Sequence, residues 1–201
     1  TAFQTCLLHG VTGSGKTEVY LRAIEATLAQ GEQALMLVPE IALTPQLENR
    51  VRARFPSAHL VIANSSVADA ARARGFLDAL SGGADIVLGT RLAIFTPLPR
   101  LRLIIVDEEH DASFKQQDGV RYSARDLAIW RAHQQNCPIV LGSATPSLES
   151  FHHAMAGRYR LLSLPVRAVA EAPPIEPTLP GNPAISVLWI SEGAYRIGPR
   201  L

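Results

Sequence analysis

The stretch Thr5-Cys-Leu-Leu-His-Gly10-Val-Thr-Gly-Ser-Gly15-Lys16-Thr17-Glu-Val-Tyr20 decides how the rest of this 201-residue chain is understood. Its centre fits G-x-x-x-x-G-K-[ST], and it stands where that pattern has physical meaning, after a short apolar run of strand type and before an amphipathic helical run. Glycines let backbone N–H groups curl around phosphate oxygens without Cβ clashes, and the helix start adds the positive end of its dipole. Gly10, Val11, Thr12, Gly13, Ser14 and Gly15 are therefore the expected cradle for nucleotide phosphates. Lys16 is expected to reach the β- and γ-phosphates, and Thr17 to hold Mg²⁺ through its hydroxyl.

Outward from this stretch, short apolar runs alternate with longer amphipathic ones, the pattern of β-α-β units stacked around a parallel sheet. Strands are expected at 5–8, 34–38, 60–63, 85–88, 103–106, 138–141 and 159–164, and helices at 16–30, 44–55, 67–80, 123–135 and 147–156. Gly31, Gly82-Gly83 and Gly157 stand where helices should stop. The fold class is α/β, a mostly parallel sheet with helices on both faces. Seven of the 14 prolines fall after residue 164, so the pattern is expected to end near Pro165. Residues 1–165 are then one domain and 166–201 a proline-rich extension or linker, with one strand at 185–190.

A phosphate cradle needs an acidic partner at the tip of a neighbouring strand, and Leu103-Ile-Ile-Val-Asp107-Glu108-Glu109-His110 supplies it. Four aliphatics bury themselves, so the acids that follow must emerge at the carboxyl edge of the sheet. Asp107 is expected to help position Mg²⁺, and Glu108 to orient and deprotonate an attacking water. Glu109 and His110 are expected to face outward or toward a coupling loop. Nucleoside triphosphate hydrolysis is the chemistry this pair of motifs indicates.

Composition bounds the rest. With 47% hydrophobic and 18% charged residues and a net charge of +1, the chain is too apolar and too neutral to be disordered, and it has no global basic footprint for nucleic acid. No apolar run approaches a membrane span, and nothing at the amino end marks a secretory leader, so a cytoplasmic, non-membrane protein is expected. Cys6 and Cys137, each in an apolar run taken as a strand, form no C-x-x-C pair, and the six histidines lack ligand spacing. A reducing compartment and no zinc site within these residues follow as expectations. Arg50, Arg52 and Arg54 turn about 200° around a helix at each step of two and make a solvated surface, not a stripe. A chain that starts at Thr1 is expected to be a piece of a longer one.

Past the acidic box, Phe114, Lys115, Arg121, Tyr122 and Arg125 interleave aromatics with cations, which suits stacking on bases and neutralising phosphates; the alternative for Phe114 and Tyr122 is packing within a long connection. Together with Asp107-Glu-Glu-His110, Gly89-Thr-Arg91 and Gly142-Ser-Ala-Thr-Pro146, these residues resemble the superfamily 2 helicases of DEAH type. More narrowly, segments 8–20, 38–46, 107–126 and 142–147 resemble the primosomal replication-restart helicases, over about residues 3 to 165.

The resemblance implies a RecA-like first motor lobe of an ATP-dependent, 3′-to-5′ DNA helicase that acts in replication restart and primosome assembly. ATP and Mg²⁺ would be its cofactors. Single-stranded or forked DNA, primosome proteins and single-strand-binding protein would be its partners. By position, Lys16, Asp107 and Glu108 serve hydrolysis, and Pro39, Thr44 and Arg91 line the DNA track together with Phe114, Lys115, Arg121, Tyr122 and Arg125. His110, Ser143 and Thr145 link hydrolysis to lobe movement. Asn64-Ser-Ser-Val67 departs from the family pattern, and the residues after Arg167 are expected to leave its course. No second lobe and no zinc module lie within these residues, so the isolated chain is expected to bind nucleotide without unwinding DNA. Two other readings stand beside this one: a lobe of another superfamily 2 DNA or RNA helicase or translocase, and a non-hydrolysing, nucleotide-gated assembly module.

Overall fold

The computed structural model describes residues 2–65 and 67–167, so the strand expected at 185–190 and most of the proline-rich extension lie outside the described residues. The chain runs β1 (Gln4–Gly10), α1 (Lys16–Leu28), β2 (Gln33–Leu37), α2 (Pro45–Arg54), β3 (Leu60–Ala63), α3 (Asp69–Leu80), β4 (Ile86–Gly89) and β5 (Leu101–Val106). It continues through a two-residue hairpin, β6 (Lys115–Gln116) and β7 (Tyr122–Ser123), to α4 (Ala124–Gln134), β8 (Pro138–Ser143), α5 (Leu148–Met155) and β9 (Arg160–Leu164). Every strand and helix expected up to residue 164 is present, with ends displaced by at most a few residues. The hairpin is an addition. Cys137 precedes β8 instead of lying in it, because Pro138 opens the strand, and its buried thiol packs in the core.

Seven strands form one sheet in the order β3-β4-β2-β5-β8-β1-β9, and every pairing in it is parallel. Successive side chains leave opposite faces of a strand, so a buried parallel sheet needs apolar residues at every position. β5 shows this: Ile104 and Val106 join one apolar cluster and Leu103 and Ile105 the other. The first cluster is closed by α3, α4 and α5 through Ala79, Ala124, Ala128, Ala132 and Ala154. The second is closed by α1 and α2 through Tyr20, Leu21, Ile24 and Val51. Burying each Leu, Ile or Val side chain of these clusters contributes about 1.5–3 kcal/mol.

The starts of α2, α4 and α5 are set by short polar side chains. Thr44 Oγ1 accepts from Leu47 N–H at 3.3 Å with Pro45 at the first helical position, Ser123 Oγ accepts from Asp126 N–H at 3.2 Å, and Ser147 Oγ accepts from Ser150 N–H at 3.3 Å. Arg52 pairs with Glu48 and Arg54 with Glu25 on an exposed surface, as the spacing of the three arginines indicated. Because all seven strands run the same way, residues 10–17, 38–44, 64–65, 89–91, 107–110 and 143–147 follow their carboxyl ends and share one edge of the sheet.

Candidate functional site

At that edge β1 ends at Gly10, and the loop after it turns into α1. Gly13 and Gly15 take φ of 79° and 92°, the left-handed region open to glycine at no steric cost, and Gly15 caps the helix. Among the described residues nothing lies within 4 Å of where a Cβ on Gly13 would be, so they leave the cradle open on that side. Lys16 is folded inward: its Nζ donates to the Gly10 carbonyl at 2.8 Å and lies 3.6 Å from Glu108 Oε1. The Ser14 hydroxyl is buried with no hydrogen-bond partner among the described residues, and Thr17 is half-buried. An orphaned hydroxyl, an inward cation and positive-φ glycines at a helix start together fit a phosphate group with its divalent ion.

The acidic box stands across from the loop, at the tip of β5. Asp107 N–H donates to the Leu37 carbonyl at 2.9 Å, which fixes the strand end beside β2. Asp107 Oδ1 accepts from the Tyr20 hydroxyl at 2.8 Å and from Glu108 N–H at 3.1 Å. Burial pushes the Asp107 carboxyl above the ordinary carboxylate range, opposed in part by the bond from Tyr20 and by Lys16. Burial, reinforced by the Asp107 charge, holds the Tyr20 phenol well above its usual value. Glu108 has φ of 48°, a strained position for a residue with a Cβ. That turn aims its carboxylate between Lys16 and His110, whose Nδ1 lies 3.6 Å away.

Of the two directions expected for Glu109, outward or toward a coupling loop, it takes the second, toward the segment after β8. It is 2% exposed, and the left-handed turn at Glu108 sends it inward. Its backbone N–H donates to the Gly142 carbonyl at 3.0 Å, and its carboxylate accepts from Ser147 N–H at 2.7 Å, Ser147 Oγ at 3.1 Å and Ser150 Oγ at 2.9 Å. Arg125 Nη1 completes the set at 3.1 Å and also donates to Ser147 Oγ at 2.9 Å. Nothing in the third acid's type or spacing announces this role, since it depends on one backbone dihedral before it.

His110, Ser143 and Thr145 come together. Ser143 Oγ accepts from Thr145 N–H at 2.9 Å and shares a hydrogen bond with His110 Nδ1 at 2.8 Å, and His110 Nε2 lies 3.3 Å from Thr145 Oγ1. This network ties the acidic box to the segment after β8.

The residues expected along the DNA track are dispersed. Pro39 is buried, Thr44 caps α2, and Arg91 Nη1 donates to the Ser113 and Lys115 carbonyls at 3.0 and 3.2 Å, tying the 89–91 segment to the loop after the acidic box. Phe114 is 1% exposed and packs in the core, so here the packing alternative describes it. Tyr122 stacks edge-on against Phe95 at 5.1 Å. Arg125 is held by Glu109 and Asp126, so its guanidinium braces protein groups. Lys115 and Arg121 are exposed at the hairpin.

Sequence reasoning also missed Tyr20. A signal for it existed: Tyr20 lies four residues after Lys16 and therefore on the same, inward face of α1.

No helix among the described residues is long and apolar enough to cross a membrane. The chain is similar to the replication restart protein PriA of Haemophilus influenzae, 50% identical over 168 residues, covering 84% of this chain and 23% of that protein. It is similar to PriA of Treponema pallidum, 46% identical over 201 residues, covering all of this chain and 29% of that protein. That alignment takes in the proline-rich residues. The chain spans only 20–29% of the length of such curated relatives. Its fold matches the yeast DEAD-box splicing factor Prp28 with a TM-score of 0.60 at 16% identity, covering 84% of this chain and 43% of that one. A family model described as DEAD/DEAH box helicase matches residues 2–153, three quarters of the sequence and all of the site just described, and the chain belongs to that family.

Proposed function

We propose that this chain is the ATP-binding and hydrolysing first motor lobe of a 3′-to-5′ DNA helicase that acts in replication restart and primosome assembly. The observation that carries the reading is the facing pair of Lys16 and Glu108, 3.6 Å apart at the tips of adjacent elements with Asp107 beside them. A phosphate-binding cation and a water-activating carboxylate held at one strand edge are the parts that hydrolysis of a terminal phosphate needs. Identity of 46–50% to replication restart proteins supports the assignment of the larger process.

In this reading ATP lies on residues 10–17, with Lys16 leaving the Gly10 carbonyl to meet the β- and γ-phosphates. Thr17 and Asp107 would hold Mg²⁺, which supplies charge neutralisation on the phosphates when bound. Glu108, already turned toward the loop, orients and deprotonates the water. His110, Ser143 and Thr145 form the link to movement. Of the DNA-track residues, exposed Lys115 and Arg121 neutralise phosphates, while Arg91, Phe114, Tyr122 and Arg125 set the loop that presents them. Pro39 and Thr44 shape the neighbouring turn. Residues 1–165 form the lobe and 166–201 extend from it. Single-stranded or forked DNA, primosome proteins and single-strand-binding protein are the partners, and the cytoplasm is the compartment. The intact Asp107-Glu108 pair weighs against a non-hydrolysing module, which has no need of Glu108.

The test is binding of a fluorescent ATP analogue with Mg²⁺. The chain is expected to bind saturably, and Lys16→Ala to abolish saturable binding at unchanged thermal stability; equal affinity in the variant refutes the reading.

A further inference from the structure

The two hydrogen bonds that Asp107 accepts from protein both land on one oxygen. Tyr20 donates its hydroxyl to Oδ1 at 2.8 Å, and Glu108 N–H donates to the same atom at 3.1 Å; among the described residues no protein group bonds Oδ2. A carboxylate pinned through one oxygen has its plane and rotamer fixed while the other oxygen remains available. Tyr20 is itself immobile. It is fully buried, its ring belongs to the cluster of Leu8, Ile24, Met36 and Ile105, and its hydroxyl lies against Gly142, where any Cβ would overlap it. Glycine at 142 and tyrosine at 20 are therefore matched across α1 and β8, and the match delivers one proton donor to one carboxylate oxygen.

We propose that Tyr20 is a positioning residue that fixes the Asp107 carboxylate with Oδ2 presented to the divalent cation of a bound nucleotide. The inference rests on the nucleotide reading above, in which Asp107 and Thr17 face Mg²⁺ and Lys16 faces phosphate. Hydrogen-bonding partners of a ligating carboxylate commonly set metal affinity by about 10- to 100-fold. Tyr20 lies on the protein side of Asp107, so its removal should act on the metal and leave direct nucleotide contacts alone.

The experiment uses the 201-residue chain and Tyr20→Phe, which keeps the ring in place and removes only the hydroxyl. Fluorescent ADP is titrated in EDTA, and Mg²⁺ is then titrated into the protein–nucleotide mixture. Expected is an unchanged affinity in EDTA and a Mg²⁺ midpoint raised about tenfold, with a thermal midpoint in EDTA close to that of the parent chain. A Mg²⁺ midpoint equal to the parent's overturns the proposal while leaving the nucleotide reading intact. A loss of ADP binding in EDTA equal to the loss with Mg²⁺ overturns it too, because Tyr20 then supports the fold and not the carboxylate. If the parent chain binds no nucleotide, the underlying reading fails first and is recognised as such by the parent alone.

Discussion

Glu109 shows how much one side chain can carry when it is taken out of water. Its carboxylate is fully buried and accepts from Arg125, from Ser147 twice and from Ser150, so it joins the acidic box to the first turns of α4 and α5. Breaking a buried ion pair from one side costs about 3–5 kcal/mol, because the partner charge is left without compensation. Arg125 keeps Asp126 at 2.8 Å and is 13% exposed, which moves the expectation to the lower end. Glu109→Ala should therefore lower the unfolding free energy by about 3 kcal/mol. Glu109→Gln, which still accepts from Ser147 N–H but turns an amide NH2 toward the Arg125 guanidinium, should lose about 2–3 kcal/mol. Urea unfolding with unchanged m-values measures both, and a cycle with Arg125→Ala should show clear non-additivity. Strict additivity would mean that Glu109 does not hold Arg125.

At the scale of elements, α1 and β8 touch through Tyr20 and Gly142. A methyl at 142 would overlap the hydroxyl and lie 2.7 Å from Tyr20 Cζ. Overpacking a filled core costs about 1–3 kcal/mol, so Gly142→Ala should destabilise by about that amount, and adding Tyr20→Phe should recover part of it by removing the worst overlap. Urea midpoints of the two variants check this, and no recovery would place the strain elsewhere. The elements themselves were legible because buried parallel strands read as short aliphatic runs, and because Ser and Thr before amphipathic runs mark helix starts. What was not legible depends on geometry finer than periodicity. Alternation continued past Val106 puts Asp107 and Glu109 on the same face, and the φ of 48° at Glu108 breaks it, sending Glu109 to the α4 and α5 side while Asp107 meets Tyr20. The hairpin has two residues per strand, too few to show any period. Phe114 could not be assigned to core or to a stacking surface from composition, since both places favour an aromatic ring.

At the scale of the whole molecule, the described residues gather Lys16, Asp107 and Glu108, the groups proposed for hydrolysis, at one sheet edge. Lys16 is the cation at the loop, and it already faces Glu108. Arg91 and Arg125, the two arginines nearest the acidic box among the expected site residues, are engaged by the Ser113 and Lys115 carbonyls and by Glu109 and Asp126. Developing charge on a transferred phosphoryl group is commonly met by an arginine supplied from another domain, an effect of about 10³- to 10⁵-fold on turnover. The relatives are more than three times as long as this chain, which leaves room for such a donor. The isolated 201 residues should therefore bind ATP with Mg²⁺ yet release phosphate about a thousandfold more slowly than a full-length relative, with no increase on adding forked DNA. Steady-state phosphate release with and without the fork measures this. Rapid, DNA-stimulated turnover by the isolated chain would mean that one of its own arginines leaves its present partners to reach the phosphate, and Arg91→Ala and Arg125→Ala would then identify which.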